Sequence, residues 1–505
     1  MIWEALIRIA IIGTERGTLP EPAQEALSRL GVDTEADPAR AVLEGAALYH
    51  QLRRAGFPIG TFEGELPLQA EAAPEGKSPV SGRSARHLKL ILEGRFRKAL
   101  PEYLQLLKTH QKSIPPEHLS ALFYFSLKSD ALWRILQESL SPFCRWLLRQ
   151  NPDWEALAGR EDVESWPDAM HKEQLSMLRY IRRTQPAEAI SLLKNSWDEY
   201  SFSEKQAFLK EMETGLGRYD EPFLEHCLSD SRKGVRTAAA LLLAHLPDSA
   251  LSGRLFSRAR ALFREEKKGL AFHFPEKLDD ELKRDGIGAA SKKHPEGQRA
   301  GWAFEMISRI PPRRWEEHFS RPTVDTLRLV AGTNRKKLLL EGLANAAILH
   351  QDHRWIEALL RYWWRTDDEE GWSGNTGKLL MGNLPDPVFN EIALQHLRQN
   401  PGFIEEKSFI SQMLGLGAHN WNDALAQLVL QGFQQWLSGA RSYFWNLWHY
   451  KRILEVAAYR INPGLLENFR TGWDARSPVW YRWEKDVERF LKVLAFRRDM
   501  RGEMK

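Results

Sequence analysis

Residues 220–247 read DEPFLEHCLSD (220–230) followed by SRKGVRTAAALLLAHLP (231–247). Each segment has the apolar spacing of a short amphipathic helix, and a polar turn separates the two. Asp230 stands where its carboxylate can accept backbone N–H bonds at the start of the second helix. Val235 is expected to pack into the hairpin, and Pro247 ends the second helix. This stretch therefore predicts a helical hairpin.

The hairpin resembles a HEAT repeat, in which an aspartate, a polar turn, a Val-Arg pair and an alanine-rich helix follow one another. Asp230, Val235 and Arg236 stand at the positions that define the repeat. In HEAT arrays the arginine at the position of Arg236 commonly pairs with a nearby aspartate, so the resemblance implies a structural role for it. A single hairpin cannot bury its apolar faces alone, and neighbouring hairpins must stack on it.

Short amphipathic helices are predicted on both sides of this hairpin, and no comparable run of alternating β-branched segments appears. The predicted fold is therefore all-α, a HEAT-like α-solenoid of stacked helical hairpins. Residues 269–275 read as a short strand and residues 285–288 as a turn, so we expect a small irregular or β insertion. The residues after Asp499 are expected to fray.

Four regions are predicted along the chain. They are N-terminal helices with a Pro/Gly-rich linker over 1–82, HEAT-like helical repeats over 83–250, an irregular bridge with helices over 251–320, and a Trp-rich helical region over 321–505.

The composition is typical of a chain that folds around an apolar core. Of 505 residues, 43% are hydrophobic and 27% are charged, and the formal net charge is +4. That charge is too small to indicate nucleic-acid binding by itself. The two cysteines, Cys144 and Cys227, exclude a disulfide scaffold and a cysteine-built zinc or iron–sulfur site.

The N-terminal apolar run over 2–13 is interrupted by Glu4 and Arg8. This pattern is typical of an amphipathic helix and differs from a secretory signal, whose apolar region follows a basic one. No stretch of about 18 uninterrupted apolar residues occurs, so the sequence predicts no membrane span. The expected location is the cytoplasm, which also fits the few cysteines.

The search for catalytic motifs gives no match. Residues 371–379 are similar to a phosphate-binding loop, but five residues separate Gly371 from Gly377 and Leu379 lacks the hydroxyl that binds magnesium. A flexible loop is the prediction there. His350 and His353 could share a helix face, but no third metal ligand accompanies them. The sequence therefore predicts no catalytic, cofactor-binding or metal-ligating residues.

Candidate partner-binding residues lie in the tryptophan-rich C-terminal region. Aromatic and polar residues alternate over 444–452, and aromatic residues and arginines are enriched at protein interfaces. Trp445, Trp448, Tyr450 and Arg452 are the predicted contact residues.

A second feature with two interpretations is the basic stretch between Arg83 and Lys112. It contains eight basic residues: Arg83, Arg86, Lys89, Arg95, Arg97, Lys98, Lys108 and Lys112. They could follow a phosphate backbone or form the solvated face of two helices.

Short motifs along most of the chain are similar to those of an uncharacterised bacterial family of HEAT-like helical proteins. These motifs are Trp3 with 12–16, 145–147 with 150–154, 220–225, 235–236, 284–288, and 311–312 with Trp315. Members are typically encoded beside MoxR-type AAA+ ATPases, von Willebrand A-domain proteins and SWIM zinc-finger proteins. The resemblance implies protein partners, a MoxR-type ATPase or a von Willebrand A-domain protein, and a non-enzymatic scaffold or adaptor. It supplies no catalytic residue to transfer.

The alternative function is nucleic-acid binding, because HEAT-like repeats also build DNA glycosylases that grip the DNA backbone with a basic concave face. That function requires the basic residues over 83–112 to share one face with inner-helix basic residues, and it requires salt-sensitive DNA binding. The oligomeric state is left open by the sequence.

Overall fold

The computed structural model describes residues 2–35, 37–56, 76–159, 163–267, 269–288, 294–400, 404, 408–439 and 448–504. The chain divides into two compact units, residues 1–71 and 72–505. The described part contains 29 α-helices and one small two-stranded sheet. The predicted all-α fold with a small β insertion is therefore confirmed.

The first unit contains three helices, Ile2–Ile12 (α1), Glu21–Arg29 (α2) and Pro38–Ala55 (α3). Helix α1 packs against both α2 and α3. Leu6, Ile9 and Leu27 are buried between them. The N–H of Ala39 donates to the Asp37 side chain, which caps α3. Of the predicted linker before residue 82, residues 57–75 lie outside the described residues.

The second unit begins with twelve helices. They are Gly82–Leu92 (α4), Leu100–Thr109 (α5), Pro116–Ser126 (α6), Asp130–Gln137 (α7), Pro142–Gln150 (α8), Glu155–Ala158 (α9), His171–Thr184 (α10), Ala189–Ser196 (α11), Phe202–Glu211 (α12), Glu221–Cys227 (α13), Lys233–Ala244 (α14) and Ala250–Arg260 (α15). Strands Phe263–Glu266 (β1) and Gly269–Phe272 (β2) then pair antiparallel, with Phe263 opposite Phe272.

Fourteen further helices follow in the described residues. They are Asp280–Arg284 (α16), Gln298–Ile307 (α17), Arg313–Phe319 (α18), Thr323–Ala331 (α19), Lys336–Leu349 (α20), His353–Arg365 (α21), Glu369–Ser373 (α22), Asn375–Gly382 (α23), Asp386–Gln399 (α24), Phe409–Gly415 (α25), Asp423–Gly439 (α26), Trp448–Arg460 (α27), Leu466–Phe469 (α28) and Glu484–Gly502 (α29).

The helices of this unit stack in succession. The predicted hairpin is present as α13 and α14, which pack together. Helix α10 packs on α12, α12 on α14, α14 on α15, and α15 on α17. The row continues from α17 to α20 and from α20 to α23. Because each helix buries its apolar face on its neighbours, one apolar core extends from Trp166 to Leu494.

Two local predictions are wrong. The predicted flexible loop over 371–379 is folded into α22 and α23, because Asp368 caps α22 and Trp372 is buried. The predicted frayed tail is helical to Gly502. Met500 and Met504 are 0% and 1% exposed and pack into a second core that residues between Leu88 and Leu157 supply. This burial holds the chain end in place.

No helix in the described ranges combines the length and the apolar character that crossing a bilayer requires.

Candidate functional site

The predicted partner-binding residues that lie on helix α27 differ in their exposure to solvent. Trp448 is 73% exposed, while Tyr450 is 9% exposed. The Tyr450 ring centroid lies 5.6 Å from that of Trp436, so Tyr450 is a core residue here. Arg452 is partly buried, and Trp445 lies outside the described residues. Only Trp448 and Arg452 therefore share one face of the helix, since they are four residues apart.

Trp448 and Arg452 line a groove between α27 and α29, which we call the Trp448 groove. Its volume is about 170 Å³, and its floor includes Phe490 and Val493. The Lys451 Nζ lies 2.6 Å from the Asp486 carboxylate, which joins the two helices at its rim. Arg489 lines the same groove and is exposed. The groove thus combines an exposed aromatic ring, apolar surface and charged groups, as protein interfaces do.

A larger cavity adjoins the Trp448 groove and is lined by residues of α5, α27 and α29; we call it the basic cavity. Its volume is about 650 Å³. Its charged lining consists of five cations, Lys98, Arg452, Arg460, Arg497 and Arg501, and two carboxylates, Glu102 and Glu455.

Glu102 on α5 and two arginines on α29 form one wall of the basic cavity. The Arg497 Nε lies 2.5 Å from Glu102 Oε2, and the Arg501 Nε lies 2.6 Å from Glu102 Oε1. Arg497 also donates to the backbone carbonyls of Ala458 and Ile461 at 2.8 and 2.9 Å. Burial lowers the pKa of Arg497, although Glu102 opposes this shift. These bonds fix α5, α27 and α29 to one another.

Glu455 on α27 is shared by two cations of the opposite wall. The Lys98 Nζ lies 2.6 Å from Glu455 Oε1, and Arg452 Nη1 lies 3.3 Å from Glu455 Oε2. Burial raises the pKa of the Glu455 carboxyl, but Lys98 and Arg452 outweigh burial, so this pKa is lowered. Glu455 is therefore ionised at neutral pH and already neutralised by its two neighbours.

Arg460, at the last turn of α27, differs from the other cations. Within the described residues its guanidinium has no hydrogen-bonding or ion-pairing partner. Burial, and then the positive charge of Arg497, lower its pKa, while Asp386 and Glu102 act in the opposite direction. Asp386 is itself held by His419 Nδ1 at 3.1 Å and by Asn420 Nδ2 at 2.9 Å. Arg460 thus makes no direct ion pair with a described residue, and Asp386 and Glu102 act on it only through longer-range electrostatics.

Most cavity residues could not be assigned from sequence motifs. Lys98 belongs to the basic stretch that the sequence indicated, and Arg452 was a predicted contact residue. Glu102 and Arg497 are separated by 395 positions in the chain. No local spacing brings α5 and α29 together, so only the fold identifies this site.

The three residues that were predicted to define a repeat, Asp230, Val235 and Arg236, lie in the α13–α14 hairpin or its turn. The Asp230 carboxylate accepts the N–H of Arg232 at 2.8 Å and pairs with Lys205 at 2.9 Å. It acts in the turn and not on the first turn of α14, whose cap residue is Arg232. Arg236 donates to the Asp230 backbone carbonyl at 2.7 Å, and Val235 is 0% exposed. All three residues therefore stabilise the hairpin.

Half of the basic stretch between Arg83 and Lys112 is paired with carboxylates. The pairs are Arg83–Glu503 at 3.3 Å, Lys89–Glu93 at 4.0 Å, Lys98–Glu455 at 2.6 Å and Lys108–Glu138 at 2.9 Å. These carboxylates reduce the positive potential that a nucleic-acid backbone would meet.

His350 and His353, the two histidines that could share a helix face, do not form a metal site within the described part of the chain. His350 Nε2 lies 3.1 Å from the Arg309 backbone oxygen, and His353 is exposed at the start of α21. Across the described residues, no group of three or more His, Cys, Asp or Glu side chains could hold a metal ion.

Comparison with known proteins assigns the chain to a family. The family of unknown function DUF5691 matches residues 5–504, which is nearly the whole sequence. The chain therefore belongs to this family. No curated protein and no solved structure matches it.

Proposed function

We propose that this DUF5691 member is a non-enzymatic protein-interaction scaffold of the HEAT-like type, acting in the cytoplasm with a MoxR-type ATPase or a von Willebrand A-domain protein. The partner assignment comes from the resemblance of its motifs. The observation that supports docking on this chain is the exposure of Trp448, 73%, at the Trp448 groove.

The exposed Trp448 ring is the side chain that we expect to contribute most to binding a protein partner. Tryptophan and arginine dominate the binding energy of protein interfaces, because they bury a large area around a polar group. Trp448 is followed along α27 by Lys451 and Arg452, and Asp486 lies across the groove. A partner that covers the ring would also desolvate these charges, which favours a partner with matching polar groups.

The test is affinity purification of the tagged full-length chain from its native host, with nuclease treatment, followed by mass spectrometry. We expect recovery of a MoxR-type ATPase or a von Willebrand A-domain protein that survives nuclease. Trp448→Ala should reduce the recovered partner by at least about tenfold, the effect of losing a hot-spot residue. Met170→Ala is the matched control, since Met170 is 72% exposed on a different element.

Three results would contradict the proposal in whole or in part. Recovery of neither partner class would remove the assignment to this system. Loss of all protein partners on nuclease treatment, together with salt-sensitive DNA binding, would favour the nucleic-acid alternative. Equal recovery with Trp448→Ala and with the wild type would move the docking surface away from the Trp448 groove.

A further inference from the structure

The charged residues that line the basic cavity carry an excess of positive charge. Five cations face two carboxylates, which leaves three positive charges in excess. Both carboxylates are fully engaged, Glu102 by two arginines of α29 and Glu455 by Lys98 and Arg452. Like charges that share a partly buried site repel one another, so such a cluster favours a bound anion.

Arg460 is the part of the cluster that is available to a ligand. Arg460 lines the cavity, and its guanidinium has no hydrogen-bonding or ion-pairing partner among the described residues. A guanidinium presents its N–H donors in a planar fork, which matches the paired oxygens of a phosphate group.

We propose that the basic cavity binds a polyphosphate group, with Arg460 as the principal contact. The excess of three positive charges calls for a ligand with several negative charges, and a single carboxylate would neutralise only one of them. A volume of about 650 Å³ is that of a small-molecule site, large enough for pyrophosphate or for the phosphate tail of a nucleotide. This proposal does not rest on the scaffold proposal, because it concerns a small ligand and Arg460, which does not line the Trp448 groove.

The cavity is built before any ligand arrives. Arg497 on α29 donates to Glu102 on α5 and to the carbonyls of Ala458 and Ile461 at the end of α27. Hydrogen bonds within the protein therefore hold these three helices together around the cavity. Arg452 is likewise fixed by the Gly415 carbonyl at 3.2 Å. Arg452 and Arg497 are therefore already ordered when an anion reaches Arg460, which reduces the entropic cost of binding.

The proposal is tested by isothermal titration of the full-length chain with sodium pyrophosphate and, separately, with ATP without magnesium. Ionic strength is held constant with sodium chloride. We expect saturable binding of pyrophosphate at one site, and Arg460→Gln should weaken this binding at least tenfold. Arg328→Gln is the matched control, because Arg328 is 66% exposed on α19 and lines neither the basic cavity nor the Trp448 groove. It should leave the affinity within twofold of the wild type.

Comparing the affinities for pyrophosphate and ATP shows whether the site binds polyphosphate alone or a nucleotide. Similar affinities for pyrophosphate and ATP would assign the site to polyphosphate alone, and at least tenfold tighter ATP binding would add a nucleoside contact. Arg460→Lys keeps the positive charge but lacks the planar set of guanidinium N–H donors, so it should weaken pyrophosphate binding less than Arg460→Gln does. If the glutamine variant does not fold, the affinity of the lysine variant is measured in its place. Absence of saturable binding by both ligands, or equal weakening by Arg460→Gln and Arg328→Gln, would overturn the proposal.

Discussion

At the scale of single residues, the ion pair of Arg182 with Asp220 places two charges in the protein interior, where each depends on the other. Both side chains are 0% exposed, and Arg182 Nη1 lies 2.7 Å from Asp220 Oδ1. Arg182 also donates to the carbonyls of Thr214, Pro186 and Met212. Asp220→Ala would leave a buried guanidinium without its counter-ion, so we expect a loss of about 3–5 kcal/mol in the free energy of unfolding, measured by urea denaturation.

A surface pair provides the control for this prediction. Arg313 Nη2 lies 2.8 Å from Asp248 Oδ1, but these side chains are 48% and 63% exposed. Water screens this pair, so Asp248→Ala should cost less than about 1 kcal/mol. Equal losses for the two alanine variants would mean that burial does not determine the strength of the Arg182–Asp220 contact.

At the scale of elements, sequence patterns located helices well where apolar spacing was regular. The hairpin at 220–247 was predicted from its polar turn and alanine-rich second helix, and α13 and α14 are found there. The prediction failed at α22 and α23, where the glycine-containing stretch 371–379 indicated a loop. Glycine has a low helix propensity, but a Cβ atom on Gly371 would lie 2.6 Å from the Trp363 ring, so a close tertiary contact requires a small residue at this junction. Local sequence does not report that packing.

The α22–α23 junction gives a direct test of this explanation. A Cβ atom on Gly377 would lie 2.3 Å from the Trp372 carbonyl oxygen and 2.4 Å from that of Gly371. Both neighbours are backbone atoms, so the junction would have to open. We expect Gly377→Ala to destabilise the protein by about 1–3 kcal/mol, the cost of overpacking a close contact, as measured by thermal unfolding.

Gly382, at the end of the same helix α23, is the matched control. A Cβ atom there would meet no atom within 4 Å. Gly382→Ala should therefore be neutral or stabilising by up to about 1 kcal/mol, because alanine has the higher helix propensity. A stabilising effect of both substitutions would show that the junction is not closely packed.

At the scale of the whole molecule, the all-α class followed from the sequence but the sites did not. Trp448 and Arg452 were predicted from one short segment of aromatic and polar residues. Arg460, Arg497 and Glu102 lack such a pattern, because α5 and α29 meet only after the second unit has folded. Periodicity identifies which face of a helix is apolar, but it does not identify the distant helix that will cover it.

Partly buried histidines make the stability of the whole fold depend on pH. Partial burial lowers the pKa of His87, His350 and His396 from about 6.5. The unfolded state therefore binds more protons below that pH, and stability that is fully present above it is lost as the pH falls. Urea unfolding should show a lower free energy at pH 5.5 than at pH 7.5.

His350 tests the origin of this pH dependence. Its Nδ1 is buried without a partner, while Arg313 and His245 disfavour its charged form and Asp352 favours it. In His350→Gln the difference in unfolding free energy between pH 7.5 and pH 5.5 should be smaller than in the wild type. An unchanged difference would assign the pH dependence to other groups.

The last helix, α29, packs against the first helices of the second unit, and we expect this packing to be important for the stability of that unit. Met500 and Met504 pack among residues of α4 to α9, more than 340 positions earlier in the chain. Met500 is 0% exposed, so Met500→Ala should leave a cavity and cost about 2–5 kcal/mol in thermal or urea unfolding. Met170→Ala, at a residue 72% exposed, should change stability by less than about 0.5 kcal/mol. If Met500→Ala were equally mild, α29 would not be part of the cooperative core, and the wall that Arg497 and Arg501 supply to the basic cavity would be free to separate from α5.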